Sequence, residues 1–205
     1  MIIVFAMSLK EYSKKRNFNS TAEPEGEIKK STSELIFVVQ KHAASHLHYD
    51  FRLEMDGVLK SWAIPKGPSM NPADKRLAIM VEDHPYSYKD FEGTIPEGNY
   101  GAGNVVVWDN GTYTLADYKN AGDLETKLKS DLQKGHLSFN LNGKKLKGEF
   151  ALVKLKTKQE NTWLLIKSKD QYAIDEDVLQ QDKSVLSDMT LEDLENMSKK
   201  NDVIL

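Results

Sequence analysis

From His48 the sequence alternates without a break: His48, Asp50, Arg52 and Glu54 fall on one parity, Tyr49, Phe51, Leu53 and Met55 on the other. Side chains of a β-strand point to opposite faces with period two. The stretch therefore predicts a strand that packs Tyr49, Phe51, Leu53 and Met55 into a core. Its other face carries an imidazole, a carboxylate, a guanidinium and a second carboxylate. Polar strand faces are ordinarily Lys, Thr, Ser and Glu turned to solvent. This one holds groups that bind metals and one that forks onto phosphate, so residues 40–54 are read as a site.

Short strands recur on both sides of it. Residues 35–39 are a buried-strand run. Asp56-Gly57 is a tight hairpin signal, with Val58–Ile64 as the returning strand. Leu77, Ile79 and Val81 alternate with Ala78, Met80 and Glu82, and Glu82-Asp83-His84-Pro85 closes that strand, with Glu82 and His84 on one face. Further strands are expected over 104–109, over 112–115 after an Asn110-Gly111 turn, over 137–141 up to Asn142-Gly143, over 150–155 and over 162–166. One internal helix is expected over 123–133, where Leu124, Leu128 and Leu132 recur every four residues and Gly135 stands at C′. Thr190 is placed to cap a polar C-terminal helix over Leu191, Leu194 and Met197. Seven or eight strands at even spacing indicate an antiparallel barrel or sandwich rather than βαβ units.

Residues 1–34 read as an arm, 35–168 as the β domain, and 169–205 as a polar, partly helical segment packed on it. The arm holds a basic cluster (Lys10, Lys14, Lys15, Arg16), is punctuated by Pro24 and Gly26, and sustains no helical or strand period. Its functional reading is a segment that folds over the site and supplies Arg16 and Glu23. Met7 is a second candidate for the start of translation. The apolar 1–7 stretch is too short to span a bilayer, which takes about 20 residues, and it lacks the flanks of a signal peptide.

Composition narrows the chemistry. The 205 residues include no cysteine, which excludes disulfides and thiolate metal sites and fits a reducing, cytoplasmic location. Any metal must be held by His, Asp, Glu or water. A net charge of -3 argues against a protein that coats long nucleic acid, but not against one that grips a strand end through a few cations.

His42, His48 and Asp50 make a candidate metal triad. Two imidazoles and a carboxylate suit divalent manganese, zinc, cobalt or iron. His48 and Asp50 share a strand face, and His42 is expected before the strand, folding back through residues 43–45. His46 breaks the parity and is not expected to be a ligand. Two readings stand for Arg52: an ion pair with Glu54, or a fork onto phosphate oxygens. Lys66 and Arg76 are candidates to converge on the same anion. His84, at a strand end, suits proton transfer to a leaving oxygen, with Tyr88 as a hydrogen-bond donor to that oxygen. The glycine-rich run 95–103 lacks the setting of a phosphate-binding loop and is read as structural.

Taken together, residues 37–54, Ser61-Trp-Ala-Ile-Pro-Lys-Gly-Pro-Ser69, Lys75-Arg-Leu-Ala78, Glu82-Asp-His-Pro85, Asp90-Phe-Glu-Gly93, Ile95-Pro-Glu-Gly98 and Tyr100-Gly-Ala-Gly103 resemble the 3′-phosphoesterase domain of bacterial DNA ligase D. The resemblance runs in order over about residues 10–168. It implies a mainly β fold, a small antiparallel β-barrel of about eight strands with one or two flanking helices. It implies an enzyme of DNA end-joining repair that removes a 3′-terminal ribonucleoside and then the 3′-phosphate to leave 3′-OH. By that likeness His42, His48 and Asp50 hold Mn²⁺, with Zn²⁺ or Co²⁺ as other fits. His84, Arg52, Arg76, Tyr88 and Glu82 take catalytic roles, and Arg16, Asn17, Glu23, Gln40 and Lys66 contact the DNA or its phosphate. Asn17 stands where the family pattern has Asp, and an amide cannot serve as a base. The implied partners are primer-template 3′ ends, with a separate ligase, polymerase and end-binding protein acting in trans. A non-catalytic end-binding adaptor is the alternative.

Overall fold

A computed structural model describes residues 9–26, 34–118 and 124–202, the last three by backbone alone. The expectations that touch residues 1–8, 27–33 and 119–123, including the alternative start at Met7 and the first residue of the internal helix, lie outside the described residues.

Eight antiparallel strands close into a barrel. The first hairpin pairs β1 (Leu35–Ala43) with β2 (Leu47–Met55), which pairs in turn with β3 (Val58–Ile64). The turn between β2 and β3 is type I′, with Asp56 and Gly57 at φ 57° and 72°, the conformation that an Asp-Gly pair favours. β3 pairs with β4 (Lys75–Met80). Beyond the small strands β5 (His84–Pro85) and β6 (Gly93–Ile95) lie the long β7 (Gly103–Leu115), then β8 (His136–Gly143), β9 (Lys147–Lys154) and β10 (Thr162–Lys167). The order runs β1-β2-β3-β4-β10-β9-β8-β7, and β7 pairs back onto β1. Closure leaves no long unpaired edge.

The alternation on β2 becomes inside and outside. Tyr49, Phe51, Leu53 and Met55 join Phe37, Val39, Trp62, Ile64, Trp108, Phe139, Phe150 and Trp163 in the interior. The opposite face of β1, β2 and β3 is also covered. Tyr12, Val38, Leu59, Tyr88, Phe91, Ile95, Val105 and Val107 form a second apolar cluster between the barrel wall and the segments that overlie it. The polar residues of β2 therefore lie sandwiched between two apolar layers instead of facing open solvent.

Several local expectations are corrected. The arm contains a helix, α1 (Leu9–Lys14). Its only buried residue is Tyr12, whose hydroxyl donates to the Pro24 carbonyl at 2.7 Å, so tertiary packing and not amphipathic period holds this short turn. β1 continues past Val39 to Ala43, and a bulge at Val39/Gln40 adjusts its pairing with β7. His42 is thus a strand residue directly opposite His48, not a residue that folds back. β4 ends at Met80 and buries Ala78 and Met80, leaving Leu77 43% exposed. Residues 81–83 leave the ladder, and His84 belongs to a separate strand opposite Leu59. Asn110-Gly111 makes no turn, because β7 runs straight through it while exchanging one neighbour, β6, for another, β8. Gly111 serves close approach instead, since a Cβ there would meet the Asn142 carbonyl oxygen at 2.2 Å.

The internal helix α2 (Leu124–Lys134) ends on Gly135 at φ 76°. The C-terminal helix α3 (Leu191–Asp202) begins on a reciprocal box: Asp193 N–H donates to Thr190 Oγ1 at 3.1 Å and Thr190 N–H to Asp193 Oδ2 at 2.8 Å. Between the barrel and α3, an irregular strap is tied down by Trp108 Nε1 and Lys145 Nζ, which both donate to the Gln181 carbonyl. No helix among the described residues is long and apolar enough to cross a membrane.

Candidate metal and phosphate site

Hairpin register brings the triad together. His42 and His48 are cross-strand partners with ring centroids 4.7 Å apart, and Asp50 lies two residues on along the same face. Asp50 Oδ2 stands 3.6 Å from His42 Nδ1, and Oδ1 stands 3.7 Å from His48 Nε2. The far nitrogen of each imidazole meets a backbone carbonyl, Gly101 O for His42 Nε2 at 2.8 Å and His46 O for His48 Nδ1 at 2.9 Å. A carbonyl only accepts, so those nitrogens carry the hydrogens. In the neutral rings the lone pairs then face the Asp50 carboxylate. Two lone pairs and a carboxylate turned on one another are mutually repulsive unless a cation or protons lie between them. One such candidate ligand atom from each of the three residues lies within 4.8 Å of the others. Carbonyl-anchored histidines beside a carboxylate are the usual dress of a metal ligand set, so these residues fit a divalent cation.

Arg52 continues the face inward and is 2% exposed. Its Nε donates to Gln40 Oε1 at 2.8 Å, one terminal nitrogen to Ser61 Oγ at 2.8 Å, and the other to Asp50 Oδ2 at 3.1 Å. Its guanidinium lies 4.9 Å from the Tyr88 ring centroid. The pairing with Glu54 is not made; Glu54 accepts from the Ile36 N–H. Burial pushes the Asp50 carboxyl up, but Arg52, His42 and His48 together hold it well below the usual carboxylate range. Gln40 is fully buried, its amide donating to the Tyr88 and Phe91 carbonyls. It is placed to aim Arg52 and not to reach a ligand itself.

The arm completes the site from above. Arg16 Nε donates to Glu23 Oε1 at 2.8 Å, and its terminal nitrogens reach Glu82 Oε1 at 3.4 Å and His84 Nε2 at 3.2 Å. The guanidinium also sits 3.8 Å from the Tyr12 ring centroid. Tyr88 donates its hydroxyl to Glu23 Oε1 at 2.9 Å. His84 Nδ1 lies 3.0 Å from the Glu82 carbonyl and must donate there, while Nε2 accepts from Arg16. His84 is therefore neutral. Burial, then Arg52 and Arg16, hold its pKa well below the ordinary imidazole value.

This has a measurable consequence. A buried imidazole with a lowered pKa leaves stability untouched above the unfolded value of about 6.5. As pH falls from there, the unfolded chain takes a proton that the folded one refuses. Stability of the metal-free protein is expected to drop by up to about 1.4 kcal/mol per pH unit between roughly pH 6.5 and 5 from this group alone. Urea midpoints taken across that range should lose one proton's worth of slope in His84→Gln; an unchanged slope would mean that the ring is not held neutral.

Other candidates stand apart. Lys66 is exposed in the turn after β3. Arg76 shares the inward parity of Ala78 and Met80 and pairs with Asp74 Oδ2 at 2.8 Å. Asn17 is exposed and accepts the Asn19 N–H, closing a turn after α1. Among the described residues none of the three contacts the network. Residues that sequence reasoning missed are Lys15, whose Nζ donates to Glu82 Oε2 at 3.0 Å, Tyr12, Ser61 and the Gly101 carbonyl. Ser61 was findable: a two-residue turn at 56–57 forces Arg52 opposite Ser61. Lys15 was marked only as part of the basic cluster and Gly101 only as part of a glycine-rich motif, and neither pattern, nor anything about Tyr12, places them in the site.

Comparison with known proteins gives a family. Residues 40–154 match the family model described as the DNA Ligase D 3′-phosphoesterase domain. The chain is 52% identical over 190 residues to the multifunctional non-homologous end joining protein LigD of Pseudomonas aeruginosa, covering 89% of this chain and 22% of that protein. It is 41% identical over 167 residues to the protein of the same name from Mycolicibacterium smegmatis, covering 81% and 21%. With LigD of Mycobacterium tuberculosis the identity is 42% over 164 residues, covering 80% and 20%. The chain thus spans about a fifth of the length of these relatives.

Proposed function

The chain belongs to the DNA ligase D 3′-phosphoesterase domain family, and from that premise we propose that it is a metal-dependent phosphoesterase acting on DNA 3′ ends. It removes a terminal ribonucleoside to leave a 3′-phosphate and then removes that phosphate to leave 3′-OH. The relatives' names place them in non-homologous end joining, and we assign this chain to the same repair, acting on primer-template ends. The observation that carries the reading is the pair of carbonyl-anchored histidines facing Asp50 with Arg52, Arg16 and His84 packed beside them.

His42, His48 and Asp50 hold the cation, Mn²⁺ by family likeness, with Zn²⁺ and Co²⁺ compatible with the same donors. Bound there, it supplies Lewis acidity toward a phosphoryl oxygen. Three of the five N–H donors of Arg52 are engaged, which leaves two for phosphate. Arg16 offers a second guanidinium across the pocket. An anionic phosphate between the two offsets the charges that keep His84 neutral. With Arg16 turned to the phosphate, His84 Nε2 takes a proton from solvent. As a water adds to phosphorus, Nε2 gives that proton to the departing oxygen, the nucleoside's 5′ oxygen in the first step and the DNA 3′ oxygen in the second, and the water releases its own proton to solvent. Glu23 and Glu82 fix Arg16, and Glu23 fixes Tyr88.

The test is a labelled primer-template ending in one ribonucleotide, incubated with Mn²⁺, Zn²⁺, Co²⁺ or EDTA. Trimming to a 3′-phosphate and then 3′-OH with Mn²⁺, and none with EDTA, is expected. End binding that survives EDTA, without product under any metal, would overturn the reading in favour of an adaptor.

A further inference from the structure

The glycine-rich run 95–103 contributes more to the site than the carbonyl that orients His42. Gly101 supplies that carbonyl, and the residue before it, Tyr100, is an aromatic with 50% of its surface exposed. Lys15 Nζ lies 4.5 Å from the Tyr100 ring centroid and donates to its hydroxyl at 3.3 Å. Arg16 Cζ lies 5.8 Å from the same centroid while its terminal nitrogens reach Glu82 and His84. The ring therefore lies against the proposed phosphate cations, one residue before the carbonyl that orients His42. The residue before Tyr100 is anchored to the arm. Asn99 exchanges side-chain contacts with Ser20 of the arm, at 2.8 Å from Ser20 Oγ to Asn99 Oδ1, and donates to the Pro96 carbonyl at 3.1 Å.

We propose that Tyr100 is a stacking platform for the nucleobase of the terminal nucleotide, with Lys15 beside it as a contact to the flanking phosphate. This rests on the phosphoesterase reading above, because it assigns the nucleoside side of the same site. Once the phosphate is fixed by cations, its nucleoside must lie beside them, and an exposed aromatic ring, with few rotatable bonds, costs little conformational freedom on binding. Every base has a π-face, so stacking holds the leaving nucleoside without choosing its identity. The tyrosine thereby adds selectivity for an end that bears a base over a bare phosphate or sugar.

Primer-templates ending in an intact ribonucleotide or in an abasic ribose separate the possibilities. With wild-type protein and Mn²⁺, KM for the abasic end should rise about tenfold, the scale of one lost stacking contact, with kcat little changed. Tyr100→Phe, which keeps the ring, should keep the preference for the base-bearing end, and Tyr100→Leu should treat both ends alike. A terminal 2-aminopurine ribonucleotide adds a readout independent of turnover: in EDTA its fluorescence should be quenched by wild type and Tyr100→Phe, and not by Tyr100→Leu. Wild-type trimming that ignores the base, or quenching that persists in Tyr100→Leu, overturns the platform and leaves the phosphoesterase reading standing. A wild-type protein that trims neither end under any metal overturns both.

Discussion

Replacing His48 by Gln is expected to lower 3′-end trimming by about 10³-fold or more, equivalent to roughly 4 kcal/mol of transition-state stabilisation, while leaving the fold intact. The expectation follows from where the side chain sits. His48 is the second residue of its strand, its imidazole is 22% exposed, and it belongs to neither apolar cluster among the described residues. Its Nδ1 is committed to the His46 carbonyl, so Nε2 is its sole free donor atom and the whole of its contribution to a cation. A glutamine amide offers a weaker ligand in a different place. Calorimetric Mn²⁺ titration should show affinity lost in parallel with trimming, and urea unfolding of the metal-free variant should stay within about 1 kcal/mol of wild type. Activity undiminished in His48→Gln would remove the triad from the mechanism.

The second large effect is on stability. Arg52→Met should destabilise the protein by about 3–5 kcal/mol. The guanidinium is the shared donor for Asp50, Gln40 and Ser61, all of them buried. A thioether of similar length fills the volume but strands Asp50 as a buried carboxylate without its cation and leaves Gln40 Oε1 without its donor. Arg52→Lys should recover little of this. A single ammonium is a point charge and cannot address three acceptors arranged around a planar fork. Urea denaturation of the three proteins at neutral pH measures both differences; a lysine variant as stable as wild type would show that charge alone, not the fork, holds the network together. Trimming should fall in both variants, since the donors left for phosphate go with the guanidinium.

These two residues also mark how far the site was legible. The face of β2 that bears His48, Asp50 and Arg52 could be read from period two, and the hairpin arithmetic about Asp56-Gly57 placed Ser61 opposite Arg52. The partner of Arg52 could not be read: Glu54 and Asp50 share its parity at equal spacing, and the choice between them was made by β1, which brings the Ile36 N–H to Glu54 and the Gln40 amide to Arg52. The same limitation misplaced the turn at Asn110-Gly111. The dipeptide has the conformational freedom for a hairpin, but β7 needed a residue without a side chain where Asn142 of β8 approaches, and long-range pairing prevailed over local preference.

The amino-acid sequence by itself determined most of the strands, the inward face of β2, the residue types of the donor set and the family, because each of these is carried by residue type at fixed spacing. The tertiary structure alone decided that the outer face of β2 is covered and not solvated. It decided that His84 is buried, with Arg52 nearby and Arg16, from an arm without periodicity, laid against it, which together keep that ring neutral. It also decided that a glycine carbonyl aims His42. The physical reason is the same in each case. A backbone carbonyl is identical at every position, and a contact across 68 residues leaves no local pattern, so neither can be seen until the barrel has closed and the arm has folded over it.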